Sequence, residues 1–196
     1  EHYNIISALH KSMRGSDPDA ALYWLGRMLA SGEDPLYVAR RMIRFASEDI
    51  GNADPQALQI ALAAREAYDK LGSPEGELAL AQAVVYLAAA PKSNSIYVAY
   101  EHMMKTIQET GSLPVPLVIR NAPTRLMKNL GYGKDYLYDH DSEEHFIPQD
   151  YLQEELLGIK FYQPGKFGFE KEIQKRLDWW EKIKKKAAKK TFDSDE

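Results

Sequence analysis

The sequence contains no cysteine. That removes disulfides, thiolate catalysis and cysteine-ligated zinc, and it fits a reducing cytoplasm. There is no excess of positive charge either: 25 Lys and Arg face 29 Asp and Glu, for a formal net charge of -4, so any contact with nucleic acid must come from local patches. No apolar run reaches the ~18 residues that span a bilayer and no signal-peptide pattern opens the chain, so no membrane partner is expected. A phosphate-cradling loop is also missing. Gly131-Tyr-Gly-Lys134 lacks both the spacing and the Ser or Thr after the lysine that such a loop requires, so this stretch is not expected to hydrolyse ATP or to hold a nucleotide. No Ser-His-acid signature stands out, and no catalytic residue is assigned.

What is present is ordinary for a globular protein. The 196 residues are 44% hydrophobic and 28% charged, enough for one sizeable core or two small ones. The chain opens on Glu1-His-Tyr-Asn-Ile-Ile6, without methionine and already near a helical pattern, and reads as a fragment. Ile5, Ile6, Leu9 and Met13 make a short amphipathic helix ended by Arg14-Gly-Ser16. Asp17-Pro18, Asp34-Pro35, Asp54-Pro55 and Ser73-Pro74 then recur as cap-plus-proline helix starts, with Ser93 a weaker fifth. The intervals leave room for three to four turns plus a short connection, which predicts antiparallel neighbours in a helical bundle or collar. Leu78 to Ala90 is apolar on every face but for Gln82 and the Tyr86 hydroxyl. It is expected at the buried centre, with Gln82 as a hydrogen-bonded core amide.

The stretch Ala46-Ser-Glu-Asp-Ile-Gly-Asn-Ala-Asp-Pro55 joins two of these helices. Leu36, Ala39, Ile43, Ala46 and Ile50 share one helical face, Gly51 stops that helix, and Asp54-Pro55 opens the next. Glu48 and Asp49 sit in the last turn, where the helix dipole is already negative. Either Arg44 and Arg41 pair with them locally, or a basic group arrives from another segment, subunit or domain.

After Gly111 the texture changes. Leu113-Pro-Val-Pro-Leu117 cannot be helix interior. A short helix near Thr124 to Asn129 is followed by Gly131 to Tyr138, a short strand or extended loop. Beyond lie a helical turn within 149–157 and a candidate strand at 159–162. A last helix runs from about Glu170 to Lys186 with Ile173, Leu177, Trp180 and Ile183 or Ala187 on one face. The expectation is a mainly α protein: a bundle over 1–110, a loop-rich satellite lobe with room for a short β hairpin and a C-terminal helix over 111–187, and a disordered tail over 188–196. Trp24 and Trp180 are placed in the core.

Two basic groups are candidate DNA or partner contacts: Arg40, Arg41 and Arg44, and Arg125, Lys128 and Lys134. With Arg120 the second group surrounds Tyr132 and Tyr136, and arginine beside aromatics is what single-strand binding uses. The alternative is that these arginines pair with nearby acids while the tyrosines pack the lobe. The lysines of 182–190 read as a solvated helix end. Asp139-His-Asp-Ser-Glu-Glu-His145 collects metal-ligating side chains, but its spacing matches no helical zinc motif, and no metal is assigned.

Several segments together resemble the C-terminal region of the RarA/MgsA family of AAA+ ATPases, which includes the Werner-helicase-interacting protein. They are Ile6-Ser-Ala-Leu-His-Lys-Ser12, Arg14-Gly-Ser-Asp-Pro-Asp-Ala-Ala-Leu-Tyr-Trp24, Asp34-Pro-Leu-Tyr-Val-Ala-Arg-Arg41, the Ala46 to Pro55 joint, Tyr86-Leu-Ala88, Ala90-Pro-Lys-Ser-Asn94 and Arg120-Asn-Ala-Pro-Thr-Arg-Leu-Met-Lys128. The resemblance covers the chain from Tyr3 to about Trp180, and it marks Glu48, Asp49, Asn52, Asp54 and Asn121 as signature or interface candidates. It implies a collar related to clamp-loader C-terminal domains that assembles a homotetramer. The AAA+ module, with its ATP and Mg, would precede this region in the same chain. The parent would act at stalled forks and single-strand/double-strand junctions of DNA, in concert with single-strand-binding protein. A cytoplasmic, nucleoid-associated location follows from the same resemblance.

Overall fold

The computed structural model describes residues 2–194, with side chains from residue 3 to residue 188. Eight α-helices are present among them: α1 (His2–Arg14), α2 (Pro18–Ala30), α3 (Pro35–Phe45), α4 (Gln56–Leu71), α5 (Glu77–Ala89), α6 (Ser95–Thr110), α7 (Arg125–Asn129) and α8 (Glu170–Ser194). Two compact units result. The first holds Glu1–Glu101 and Tyr162–Ile173, the second His102–Phe161 and Gln174–Glu196, so α6 and α8 each run through both.

The proline-punctuated starts work as local physics requires. Asp17 caps α2 through Ala20 N, and Asp34 caps α3 through Leu36 N. Asp54 accepts from Gln56 N. The Ser73-Pro74 start comes late: 73–76 form a tight turn in which Gly76 N bonds Gly72 O, and α5 begins at Glu77.

The first unit is built around α5, which packs against α1, α2, α3 and α4. Leu80, Ala83, Val84, Leu87 and Ala88 face inward, closed by Leu9, Met13, Leu25, Met28, Val38, Met42 and Phe45. The helix is not enclosed on all sides, however. Leu78, Gln82, Val85 and Ala89 are exposed and follow one another along one stripe. Gln82 is therefore a surface residue and not the core amide that its apolar neighbours suggested: a uniformly apolar helix carries no periodic signal of which side faces out. The buried face of α3 is likewise rotated. Ala39, Ala46 and Ile50 are buried as expected, but Leu36 and Ile43 are only half-buried, and Val38, Met42 and Phe45 fill the core instead. Neighbours α1, α4 and α5 enclose more of α3 than one narrow stripe.

The joint after α3 is irregular. Ala46–Ile50 forms a single π-helical turn, closed by Gly51 N on Ala46 O, and Gly51–Ala53 follows as a 3-10 turn. Gly51 has φ 50 and ψ -131, a conformation open to glycine and costly for other residues. The extra residue in the π turn tilts Asp49 inward, where it is buried.

A strap from the C-terminal half closes over this joint. Phe169 N donates to Ala53 O at 2.8 Å. Gly168 has φ +58, and a Cβ there would collide with the Ala53 carbonyl and the Pro91 ring. Glu170, the first residue of α8, is fully buried, and its Oε2 accepts from Gly165 N and from the Tyr162 hydroxyl.

The second unit has little interior: Thr106 alone is buried among its described residues. No strand forms among its described residues, so the short β hairpin for which the lobe had room is not seen. Residues 131–135 form turns, because Gly131 and Gly133 take positive φ directly after α7 and reverse the chain, and neither 136–138 nor 159–162 has regular structure. Thr124 caps α7 through Met127 N. Trp180 stacks on Phe146 with centroids 6.0 Å apart, whereas Trp179 is exposed; Trp24 packs against the core of the first unit. Helix α8 keeps Ile173, Leu177, Trp180, Ile183 and Ala187 half-buried and continues to Ser194. Of the tail expected to be disordered, residues 195 and 196 lie outside the described residues.

Two substitutions and one control test this packing. Phe45→Ala should cost about 3–5 kcal/mol of unfolding free energy in urea. Gly168→Ala should cost about 2 kcal/mol or more. Gly158→Ala, at a positive φ but facing open space, should cost clearly less than Gly168→Ala.

Candidate functional site

The acids of the joint are satisfied in two ways. Glu48 takes the local partner: Arg44 Nε reaches its Oε2 at 2.6 Å, one turn away. Asp49 instead meets two groups from α1. Arg14 donates from Nε to Oδ1 at 2.6 Å and from Nη2 to Oδ2 at 3.3 Å, while His10 Nε2 lies 3.0 Å from Oδ2. His10 and Arg14 stand one turn apart on α1, and the His10 ring meets Phe45 edge-on at 5.1 Å. Both acids are thus partnered within this chain.

Burial is the largest influence on the Asp49 carboxyl and pushes its pKa up, but hydrogen bonds and charge from His10 and Arg14 outweigh it and the net shift is downward. The Arg14 guanidinium is held above its usual range by the same contact. Lys92, from the Ala90–Asn94 connection, caps the end of α5 by donating to Ala88 O and Ala90 O, and to Ser16 Oγ. Together Arg14, Glu48, Asp49, Lys92, Ser93, Asn94 and Tyr97 line an open cavity of about 400 Å3.

The other signature candidates play separate parts. Asp54 accepts the Tyr86 hydroxyl at 2.6 Å, a bond that pushes the Tyr86 pKa up to about 12. Asn52 hydrogen-bonds the Tyr162 side chain of the strap. Asn121 is exposed in the second unit, ahead of α7.

The two basic groups fall in different units. On α3, Arg40 and Arg44 are exposed, with Arg44 committed to Glu48, while Arg41 is half-buried and its Nε is enclosed without a partner. In the second unit Arg125, Lys128 and Lys134 are exposed, and Tyr136 with them. Arg120 is spent internally: it lies over the Tyr132 ring at 4.9 Å and donates to Val115 O at 2.6 Å.

Among the described residues, metal-ligating atoms converge at His10, Glu48 and Asp49. Two arginines already neutralise those carboxylates, so the donor set fits guanidinium and not a metal ion. In the 139–145 loop, His140 Nδ1 and His145 Nδ1 are 2.8 Å apart, and Asp139 accepts from Ile147 N and the Tyr151 hydroxyl. Gly131–Lys134 turns into non-helical chain, so no helix N-terminus stands behind it to receive a nucleotide phosphate.

Residues 15–181 match the family model described as MgsA AAA+ ATPase C terminal. The chain belongs to this family. Among the most similar curated relatives is the Replication-associated recombination protein A of Coxiella burnetii, 59% identical over 182 residues, which are 92% of this chain and 41% of the relative. The protein of the same name from Escherichia coli K12 is 49% identical over 178 residues, 90% of this chain and 40% of the relative. The ATPase WRNIP1 of Dictyostelium discoideum is 49% identical over 162 residues, 82% of this chain and 18% of the relative. The chain therefore spans about two fifths of the length of these bacterial relatives. No helix among the described residues is long and apolar enough to cross a membrane.

Three parts of the site had no assignment from sequence. His10 follows Ile6 by four residues and so lies on the apolar face of α1, a signal that could have identified it. Lys92 sits in a quoted signature segment, but its capping role depends on where α5 ends. Glu170 left no signal, because an acid in the first turn of a helix is the commonest surface choice.

The Asp49 contacts give a signed pH prediction. A carboxyl whose folded-state pKa is lowered contributes stability that is complete above the ordinary carboxylate range and is lost as pH falls through the lowered value. Asp49→Asn should lower stability at pH 7 by roughly 2 kcal/mol, the low end for a buried pair because Arg14 is half exposed. Urea unfolding of wild type and variant should differ at pH 7, and the difference should persist through the ordinary carboxylate range and close only as pH falls below it.

Proposed function

We propose that this chain is the self-associating C-terminal part of a AAA+ ATPase that works on DNA during replication and recombination. Family membership and the names of the relatives support the AAA+ and replication parts of this reading. The observation that carries self-association is an exposed apolar surface on the first unit. Leu78 and Val85 stand out along the outer stripe of α5, beside a groove of about 240 Å3 between α4 and α5 lined by Ile60, Ala63, Ala64, Ala67, Ala79, Gln82 and Ala83. A leucine and a valine projecting beside an alanine-lined hollow offer the knob and the recess that an isologous contact needs. In this reading the subunits form a homotetramer on a clamp-loader-like collar. The preceding AAA+ module carries ATP and Mg, and the assembly acts at stalled forks alongside single-strand-binding protein, in the cytoplasm at the nucleoid. No catalytic step falls to the residues of this region.

Sedimentation of the chain at micromolar concentration tests the reading. An oligomer is expected for the wild type, and Leu78→Glu with Val85→Glu should shift it to monomer while leaving its helical circular dichroism intact. A wild type that stays monomeric would remove the proposal.

A second reading, direct DNA contact, draws on the exposed Arg125, Lys128 and Lys134 beside Tyr136. Reversing those three charges should weaken binding of forked DNA by about tenfold or more at low salt and flatten its salt dependence. Unchanged affinity would exclude that surface.

A further inference from the structure

We propose that His140 and His145 form a binding site for a divalent transition metal ion of the copper(II) or nickel(II) type. The site belongs to the second unit and holds whether or not the first unit self-associates. His140 Nδ1 and His145 Nδ1 face each other at 2.8 Å, with the ring planes 69° apart. Two neutral imidazoles make that contact with one proton, which one Nδ1 gives and the other accepts. A metal ion takes the place of this proton. It uses the lone pairs of both Nδ1 atoms, and the displaced proton moves to Nε2 of the same exposed ring, so each imidazole stays neutral. The spacing also selects the ion. With metal–nitrogen bonds of about 2.0–2.1 Å, nitrogens 2.8 Å apart subtend about 85–90° at the metal. Neighbouring ligands of a square-planar or tetragonal ion, the arrangement of copper(II) and nickel(II), stand at that angle, whereas a tetrahedral zinc ion would hold them about 3.4 Å apart.

The loop holds both rings in place. Ser142 Oγ donates to Phe146 O at 3.1 Å and accepts from Phe146 N at 3.0 Å, while His145 N donates to Ser142 O. Asp139 ties the loop from outside, taking Ile147 N on Oδ1 and the Tyr151 hydroxyl on Oδ2. The Tyr138 ring lies against His140 with centroids 5.2 Å apart, and Phe146 is stacked on Trp180. A cation also finds a field of the right sign. Asp141, Glu143 and Glu144 are exposed, and none of them has a hydrogen bond or ion pair among the described residues. Arginines occupy the carboxylates at His10, Glu48 and Asp49, but no Lys or Arg side chain neutralises these three. Water or a carboxylate oxygen fills the remaining positions around an ion held by the two nitrogens.

Calorimetric titration of the whole chain with copper(II), nickel(II), zinc(II) and magnesium(II) chlorides tests the site. All samples carry His2→Ala, which removes the imidazole next to the amino terminus. One copper or nickel ion per chain should bind saturably and more tightly than zinc. Magnesium, which seeks oxygen ligands, should be weaker by about a hundredfold or more. His140→Ala and His145→Asn should each weaken copper binding by about tenfold or more with unchanged circular dichroism. Asparagine is used at 145 because it tolerates the positive φ of 50 there. His102→Ala, at another exposed histidine of the second unit, should leave the affinity unchanged. Electron paramagnetic resonance of the copper-loaded chain should show two equatorial nitrogens, and one in either variant. Absence of saturable binding, magnesium equal to copper, zinc tighter than copper and nickel, unchanged affinity in His140→Ala or His145→Asn, equal loss in His102→Ala, or a single equatorial nitrogen in the unsubstituted pair would each overturn the assignment.

Discussion

The contact between Asp49 and the paired His10 and Arg14 of α1 is the constraint on which the first unit depends. A carboxylate at the end of α3 faces a helix dipole of its own sign and loses most of its hydration on burial, so it can stay charged only if a cation and further hydrogen-bond partners are delivered to it. Alpha1 delivers them from two positions one turn apart. The first helix is thereby fixed in register against the joint between α3 and α4, because a slip of one residue would turn both donors away. The π turn at Ala46–Ile50 is the local counterpart: without its extra residue, Asp49 would not point inward.

Other parts of the chain converge on the same place. The connection after α5 supplies Lys92, which closes the end of that helix, and Ser93 N bonds the Asp49 carbonyl. The strap 162–170 comes back from far along the chain to seat Phe169 N on Ala53 O, with Glu170 buried behind it. A cavity rimmed by both signs of charge remains at this convergence. The apolar surface of α4 and α5 is a separate feature of the same unit. The cavity and this apolar surface share no lining residue.

Much of this was legible in the residues. Asp-Pro starts located α2, α3 and α4 closely because capping and the proline φ act within one turn and need no tertiary support. The amphipathic faces of α1 and α8 were readable for the same reason. Legibility failed where a residue's surroundings, not its neighbours in sequence, decide its state. Gln82 was taken for a core amide since α5 is apolar all round, yet only the positions of α1 to α4 determine which stripe is left uncovered. The short strand or extended loop expected from Gly131 to Tyr138 opens instead on turns over 131–135, because the glycines serve the end of α7 and not a strand register. Glu48 and Asp49, adjacent in sequence and alike in chemistry, were indistinguishable until packing gave one a neighbour on its own helix and the other two partners from α1.

By itself the sequence determined the helical class, most helix starts, the placement of the joint and the family to which the chain belongs, since all of these rest on short-range backbone preferences or on motif order. Tertiary structure alone decided that Asp49 is bonded by His10 and Arg14, that Glu170 is buried under a returning strap, and that α5 leaves one apolar stripe exposed. Those outcomes join residues 35 to more than 100 positions apart. The free energy of such contacts comes from desolvation and charge pairing between segments, and no local pattern in the chain encodes it.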